Sequence, residues 1–322
     1  MRHAVLALAA ALVAASPAAS QTYPDKAITM VVPYAAGGPS DVIGRLIGQH
    51  MSATLGQQVV IENEDGAGAS TGEARDAKAS PDGYTLLIHH VALAAGASLY
   101  QKLAYDTATA FQPIGLVNTG PFVLTSKLGF DAADGKALLA KLKAEGPKIN
   151  VAHAGIGSGS HLCGLMLTQA LGTSFTYVAY RGTGPAMNDL VGGQIDLLCD
   201  QTTNAIPQVN GGKVKAYAVT APRRIDQLPN LPTVSELGID GFDVAVWHAL
   251  YAPAGTPKPV VDKLHGALQA ALADATIQTR FKELGTVLFP ADRRSPDALA
   301  AHLKGELARW NEAITKAGVK AE

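Results

Sequence analysis

The chain has 322 residues, with 26 Lys and Arg against 27 Asp and Glu, two cysteines and a hydrophobic fraction of 48%. This length predicts about two domains, and the hydrophobic content is too high for a disordered chain. The near-zero net charge excludes the basic surface that nucleic acid or an anionic membrane would need, so we expect neither as a partner.

The N-terminus is typical of a secretory signal peptide. Arg2 precedes an apolar run at residues 4–15, and small residues at 18–20 provide a cleavage site. The alternative is a membrane anchor, which would need about 20 apolar residues to cross the bilayer as a helix. We therefore predict that residues 1–20 are a signal peptide that is cleaved on export and that the mature protein resides in the periplasm.

Short apolar runs alternate with amphipathic patterns along the rest of the chain. This order predicts an α/β fold with mostly parallel sheets, and two such runs predict two lobes. The predicted strands are residues 31–34, 59–62, 84–89, 149–153, 175–180, 195–199 and 214–220, and the predicted helices are residues 42–55, 136–143, 161–171, 185–191, 259–274 and 296–317.

Several predicted strands end in a turn rich in Gly or Ser that opens a helix. The clearest turns are residues 35–41, 65–70 and 154–160. Such turns direct backbone N–H groups outward from the positive end of a helix. In open α/β sheets, ligands bind beyond the carboxyl ends of the strands. Two lobes that offer such turns to one cleft would suit a small anion, without a need for Lys or Arg.

Export would place Cys163 and Cys199 in an oxidising compartment. Both fall at the same edge of a predicted βαβ unit, so a disulfide and a pair of buried free thiols are both compatible with the sequence.

Motifs for catalysis, cofactors and metals are weak. The turn at residues 155–160 has Ser160 in place of the third Gly or Ala of a dinucleotide fingerprint, and no acidic residue follows about 20 positions later. No Gly-x-Ser-x-Gly elbow or His-x-x-x-His spacing occurs. We therefore predict no cofactor, no metal and no enzymatic activity. The alternative is an exported α/β enzyme that acts on a carboxylated metabolite.

Motifs spread along the chain carry a family resemblance. They are YPDK at 23–26, VPYAAGG at 32–38, VIEN at 60–63, DGYTLL at 82–87, VAYRG at 178–182, DLVGGQ at 189–194 and APAGTP at 252–257. In these motifs, and over essentially its whole length, the chain resembles the periplasmic solute-binding proteins of tripartite tricarboxylate transporters, the Bug or TctC family.

The resemblance implies a type II periplasmic binding protein fold, in which two lobes enclose a ligand cleft and the chain crosses between them twice, as in a Venus flytrap. Lobe 1 would comprise residues 21–124 with 248–322, and lobe 2 residues 125–247. The resemblance also implies a monomer that captures a small carboxylate, largely through backbone amides, for the membrane components of a transporter. A membrane sensor kinase is the alternative partner.

The first turn holds the candidate ligand contacts of lobe 1, namely Ala36, Gly37, Gly38 and Ser40, because its backbone donors do not depend on side chains. Lobe 2 would contribute contacts from the turn at 154–160 and the segments beyond it. These candidates are Gly157, Ser158, Ser160 and His161, with Arg181 for a second carboxylate and Asp200 to hold a water molecule or the hinge.

Three places depart from the family pattern: Glu64 and Asp65, which add negative charge near the second turn, the pair His89 and His90, and His248, which follows the usual Trp247. Because side chains alternate along a strand, only one of His89 and His90 would face a given ligand. Imidazoles and an indole at the cleft predict a flat, aromatic mono- or dicarboxylate. The alternative is that Trp247 packs at the hinge and that one of the paired histidines is a core residue.

Overall fold

The computed structural model of the chain describes residues 23–318. The predicted signal peptide lies outside this range. Within it, no helix is both long enough and apolar enough to cross a membrane.

Ten strands form two sheets that share one long strand. The first sheet has the order β2-β1-β3-β9-β4, with β10 also paired to β4, and the second continues from β4 through β7 and β5 to β6, with β8 also paired to β4. The strands are β1 (Ile28–Val32), β2 (Val59–Asn63), β3 (Thr85–His90), β4 (Phe111–Ser126), β5 (Asn150–His153), β6 (Thr176–Ala179), β7 (Leu197–Gln201), β8 (Lys215–Val219), β9 (Ala245–Pro253) and β10 (Val287–Leu288).

Helices cover both sheets. They are α1 (Pro39–Leu55), α2 (Ser70–Ala77), α3 (Ala92–Leu99), α4 (Gly135–Glu145), α5 (Gly159–Leu171), α6 (Thr183–Val191), α7 (Thr202–Asn210), α8 (Lys258–Ala273), α9 (Ala275–Glu283) and α10 (Pro296–Ala317).

Helix α1 shows how the sequence specifies these elements. Ile43, Ile47 and Met51 recur every four residues and are fully buried, which gives the helix the apolar stripe that packs on the first sheet. The helix ends at Gly56, which adopts a left-handed conformation with φ 71° that a residue with a Cβ rarely takes.

Strand β4 connects the two halves of the molecule. From Phe111 to Pro121 it pairs with β9, and from Phe122 to Ser126 it pairs with β7 and β8. The outer strands β1–β3 and β5–β7 run parallel, whereas β4 and β9 run antiparallel to their neighbours. The two-lobed α/β architecture is confirmed. The predicted lobe boundary at residue 124 lies close to the point where β4 changes partners. The predicted boundary at residue 247 lies within β9. Both boundaries stay predictions.

The two cysteines form a disulfide. Cys163 on α5 is joined to Cys199 on β7, with their Cα atoms 6.3 Å apart. Both side chains are buried. The disulfide joins helix α5 to strand β7 in the second lobe, and one end of each element reaches the cleft between the lobes.

Candidate functional site

A small cavity lies between the two lobes, with a volume of about 20 Å³. It is little larger than the space that one water molecule requires. Its walls come from both lobes, and the lining residues are Tyr34, Gly38, Pro39, Ser40, His90, Phe122, Ala154, Ser158, Gly159, Ser160, Thr183, Asp200 and Gln201.

Four helices begin at this cavity. Gly38 precedes α1, Ser158 precedes α5, Thr183 opens α6 and Gln201 precedes α7, and all four residues line the cavity. Each helix N-terminus carries unpaired backbone N–H groups and about half a positive charge. Because no Lys or Arg lines the cavity in residues 23–318, the positive potential there comes from the backbone. Such a site is suited to an anion.

Asp41 stiffens the first turn instead of facing the cavity. Its Oδ2 accepts a hydrogen bond from the Gly37 N–H at 3.0 Å and another from Arg45 Nε, and its Oδ1 accepts one from Asn63 Nδ2. Burial acts to raise the pKa of Asp41, but the hydrogen bonds from Arg45 and Gly37 lower it below its usual value. The turn therefore contains a negative charge that is already paired with Arg45.

His90 presents a hydrogen-bond donor to the cavity. Its Nδ1 accepts the Ala92 N–H at 3.1 Å, so the proton of the neutral ring lies on Nε2. The ring stacks on Tyr34, with centroids 5.0 Å apart. Behind it, His248 Nε2 lies 3.2 Å from the Ser40 hydroxyl. Burial lowers the pKa of both imidazoles well below its usual value, so both rings are neutral.

The second lobe contributes a turn held by its own side chains. The Ala154 N–H donates to the Ser160 hydroxyl oxygen at 2.9 Å, and the hydroxyls of Ser158 and Ser160 lie 3.1 Å apart. His161 Nδ1 accepts the Gly157 N–H at 3.2 Å. His161 thus fixes the loop, and it does not line the cavity. Burial lowers its pKa to about 3.

Asp200 closes the far wall and is fully buried. Its Oδ1 accepts the Gln201 N–H at 2.8 Å, and its Oδ2 accepts a hydrogen bond from Asn204 Nδ2 at 2.5 Å. Burial raises the pKa of Asp200 to about 7, against the opposing effect of hydrogen bonds from Asn204, Thr183 and Gln201.

Three further predicted residues lie away from the cavity, and the structure corrects those predictions. His89 Nε2 is bonded to the buried Glu73 carboxylate. The side chain of Arg181 is 79% exposed and lies 3.7 Å from Asp65. Trp247 is bonded to Glu306 on α10.

Trp247 faces the opposite side of β9 from His248, because successive residues on a strand alternate. Its Nε1 donates to Glu306 Oε2 at 2.9 Å, and its ring stands edge-on to His302. The expectation that a ligand stacks on Trp247 is therefore wrong. The indole packs against α10 beside the crossing strands.

The turns predicted as ligand contacts also touch each other across the cleft. The Ala35 N–H donates to the Arg181 carbonyl at 2.9 Å. Ala36 and Gly37 are exposed, and a Cβ placed on Gly184 would lie 2.8 Å from the Ala36 carbonyl oxygen. On the other side, the Tyr100 hydroxyl donates to the Ile156 carbonyl at 2.9 Å. These contacts identify a closed conformation.

Sequence reasoning missed about half of the lining. The strand–turn–helix pattern that indicated Gly38 and Ser160 could also have identified Thr183 and Gln201, since each lies where a helix begins after a strand. Phe122 carried no such signal, because β4 itself was not predicted. The missed lining residues are Tyr34, Pro39, Phe122, Ala154, Gly159, Thr183 and Gln201.

Two lobes joined by crossing strands, with a cavity between them whose lining is suited to an anion, are typical of a solute-binding protein. Residues 43–319 match the model of the tripartite tricarboxylate transporter family receptor, TctC. The chain belongs to this family of periplasmic solute-binding proteins, which are binding proteins and not enzymes.

Solved structures agree in both fold and length. The chain is similar to the periplasmic binding protein BugD, with 47% identity, a TM-score of 0.90, and coverage of 93% of this chain and 100% of the other. It is similar to MatC from Rhodopseudomonas palustris with bound malate, with 40% identity, a TM-score of 0.87 and coverage of 91% and 100%. An R. palustris protein solved with adipate shares 29% identity and a TM-score of 0.87, with coverage of 92% and 99%.

Proposed function

We propose that this protein captures a small aliphatic carboxylate between its lobes and delivers it to the membrane components of a tripartite tricarboxylate transporter. The observation that carries the proposal is the convergence of four helix N-termini on a cavity that also offers the His90 Nε2–H and the hydroxyls of Ser40, Ser158 and Ser160. Malate and adipate, bound in two similar proteins, are both aliphatic dicarboxylates.

An aliphatic ligand accounts for the cavity better than the aromatic acid that the sequence favoured. The indole of Trp247 is bonded to Glu306 and is not available for stacking. The hydroxyl, imidazole and backbone donors that remain match carboxylate oxygens.

Binding requires the lobes to open. A cavity of about 20 Å³ is too small for a dicarboxylate, so the ligand enters an open conformer and the lobes then close around it, with β4 and β9 as the crossing strands. Contacts such as Ala35 to Arg181 form only on closure and favour the closed state. A transporter that recognises the closed state would then receive loaded protein. We further propose that export proceeds through cleavage of residues 1–20.

A thermal-shift screen of residues 21–322 tests this function. The panel contains malate, adipate and succinate together with benzoate and terephthalate. A ligand at 100 times its Kd adds about 2.7 kcal/mol to the stability, and we expect such a shift with an aliphatic acid. NMR spectra of the acid after incubation should be unchanged, because the protein binds without turnover.

The outcomes of the screen separate the alternatives. Shifts confined to the aromatic acids would refute the aliphatic assignment, and consumption of the acid would support the enzyme alternative. No shift with any acid would refute carboxylate binding. Ser40→Ala removes a lining hydroxyl and should weaken the response, whereas Ser98→Ala, which removes a hydroxyl on α3 that does not line the cavity, is the matched control.

A further inference from the structure

Asp200 is out of place in a site built for an anion. Within residues 23–318 it is the one acidic side chain that lines the cavity, and no Lys or Arg lies beside it. It is fully buried, where the N-termini of α6 and α7 meet. A negative group at this position would repel an anionic ligand unless its charge is removed.

The hydrogen bonds of Asp200 leave room for a proton. One oxygen accepts the Gln201 N–H and the other accepts a hydrogen bond from Asn204 Nδ2, and the Thr183 side chain also donates to the carboxylate. The two oxygens together can accept four hydrogen bonds. A proton can therefore occupy the remaining position on Asp200 without breaking any of these bonds and can point toward the cavity that the side chain lines.

A carboxylate ligand in this cavity would lie next to Asp200 with no cation between the two groups. Two carboxylates that share such a site do not both stay ionised, and the pair retains one proton. Resting on the proposed function, we propose that Asp200 takes up one proton from solvent when a carboxylate ligand binds and donates it to the ligand as a hydrogen bond. The ligand therefore binds more tightly at lower pH, and the proton returns to solvent when the ligand leaves.

The closed conformation without ligand is poised for this exchange. Burial raises the pKa of Asp200 to about 7, so the free side chain is ionised at pH 8.5 and mostly protonated at pH 6.5. A dicarboxylate or hydroxy acid offers the acceptor that a protonated Asp200 requires. An α-amino acid would instead offer an ammonium group to an ionised Asp200.

The other titratable groups around the cavity do not supply this proton. Burial lowers the pKa of each surrounding imidazole, so these rings stay neutral above pH 6.5. Burial raises the pKa of the Tyr34 hydroxyl, which stays protonated, and Asp41 is ionised and paired with Arg45. The imidazoles lie on β3, β5, α5 and β9, and they are His90, His153, His161 and His248.

Isothermal titration calorimetry with malate at pH 6.5 and 8.5 tests the proposal, in pairs of buffers that differ in heat of ionisation. For an Asp200 pKa of about 7, we expect Kd to rise about 25-fold between these pH values. The buffer dependence of the heat at pH 8.5 should correspond to uptake of nearly one proton per malate. Adipate should behave in the same way.

Variants assign the proton. Asp200→Asn should bind with a Kd that does not change with pH and without buffer-dependent heat, because an amide does not take up the proton. Asp131→Asn removes a carboxylate whose side chain is 97% exposed and should keep the wild-type pH dependence. If Asp200→Asn does not fold, the absence of proton uptake by the wild-type protein would still refute the proposal.

The results that would refute the role of Asp200 differ from the result that would refute the proposed function. Malate binding with a pH-independent Kd and no proton uptake would refute the role of Asp200 and leave the proposed function intact. Proton uptake that persists in Asp200→Asn would assign the proton to an imidazole and would also refute it. Tight binding of L-aspartate without proton uptake would show that Asp200 stays ionised. No heat with malate, adipate or succinate at either pH would overturn the proposed function itself.

Discussion

The disulfide between Cys163 and Cys199 should make a large contribution to stability, and its size follows from the chain. The two residues are 36 positions apart. In the chain-entropy model, closing a loop of this length removes about 13 cal/mol/K from the unfolded state, which is about 4 kcal/mol at 25 °C. For about 300 residues unfolding together, with an unfolding entropy of about 2.1 cal/mol/K per residue, this corresponds to about 6 °C in Tm.

Urea denaturation of residues 21–322, with and without reductant, measures this contribution. Reduction should lower the free energy of unfolding by about 4 kcal/mol. The double variant Cys163→Ala/Cys199→Ala should be destabilised by a similar amount and should not respond to reductant, which makes it the matched control. Reduction should also weaken malate binding, because the disulfide ties the helix that follows Ser158 to the strand that carries Asp200.

Two results would refute this reasoning. Thiol titration of the unreduced, unfolded protein could find two free thiols, which would show that the bond does not form. Alternatively, full reduction could leave the urea midpoint unchanged, which would show that loop closure in the unfolded state contributes little here.

Three other changes have expected outcomes. Gly184→Ala places a methyl group 2.8 Å from the Ala36 carbonyl oxygen, so it should impede closure and weaken malate binding at least ten-fold in calorimetry, whereas Gly266→Ala, with open space around its Cβ, should not. His161 stays neutral in the folded protein with a pKa of about 3, but in the unfolded chain it is protonated below about pH 6.5. The folded state therefore loses stability as pH falls from 6.5 to 3. His161→Asn should reduce this loss in the free energy of unfolding measured with urea, and an unchanged pH dependence would contradict the assignment. Glu306→Ala leaves two buried indole N–H groups without an acceptor and should lower the free energy of unfolding by about 2 to 6 kcal/mol, with a loss under 1 kcal/mol as the contradicting result.

Local patterns in the sequence were sufficient for the parallel part of the fold. Strand β2, helix α1 and helix α10 lie within a few residues of their predicted bounds, because each has an apolar pattern with a defined start and stop. Strand β4 was not predicted, since Pro113, Gly115, Gly120 and Pro121 lie inside it and are typical of turns. The register of β4 against β9 shifts between Pro113 and Gly115, which accommodates these two residues, whereas Pro121 lies where β4 leaves β9 and begins to pair with β7.

Strand β9 was missed for a different reason. Every residue from Val246 to Pro253 is buried, so the strand lacks the alternation of polar and apolar side chains that marks a half-exposed strand. A strand buried on both faces is specified by its neighbours in space, and its sequence alone does not distinguish it from a buried helix.

The site was predictable as far as it depends on backbone. Gly38, Ser40, Ser158 and Ser160 were found because the strand–turn–helix pattern fixes where N–H groups point, whatever the side chains are. The predictions for Trp247 and Arg181 failed because they depended on which way a side chain leaves the backbone. That direction is set by Glu306 in one case and by solvent in the other, and neither is apparent from local sequence.

The proposed anion site, built from backbone groups, would also couple recognition to closure. The N-terminus of α1 belongs to one lobe, and those of α5, α6 and α7 belong to the other. An anion held by one lobe alone would be solvated on its open side and would gain little from the fixed dipoles, since water screens them. When the lobes close, all four N-termini act on the same anion with water excluded, and each dipole contributes more. The ligand therefore binds the closed state more tightly than the open one, which is the condition for a ligand to shift that equilibrium.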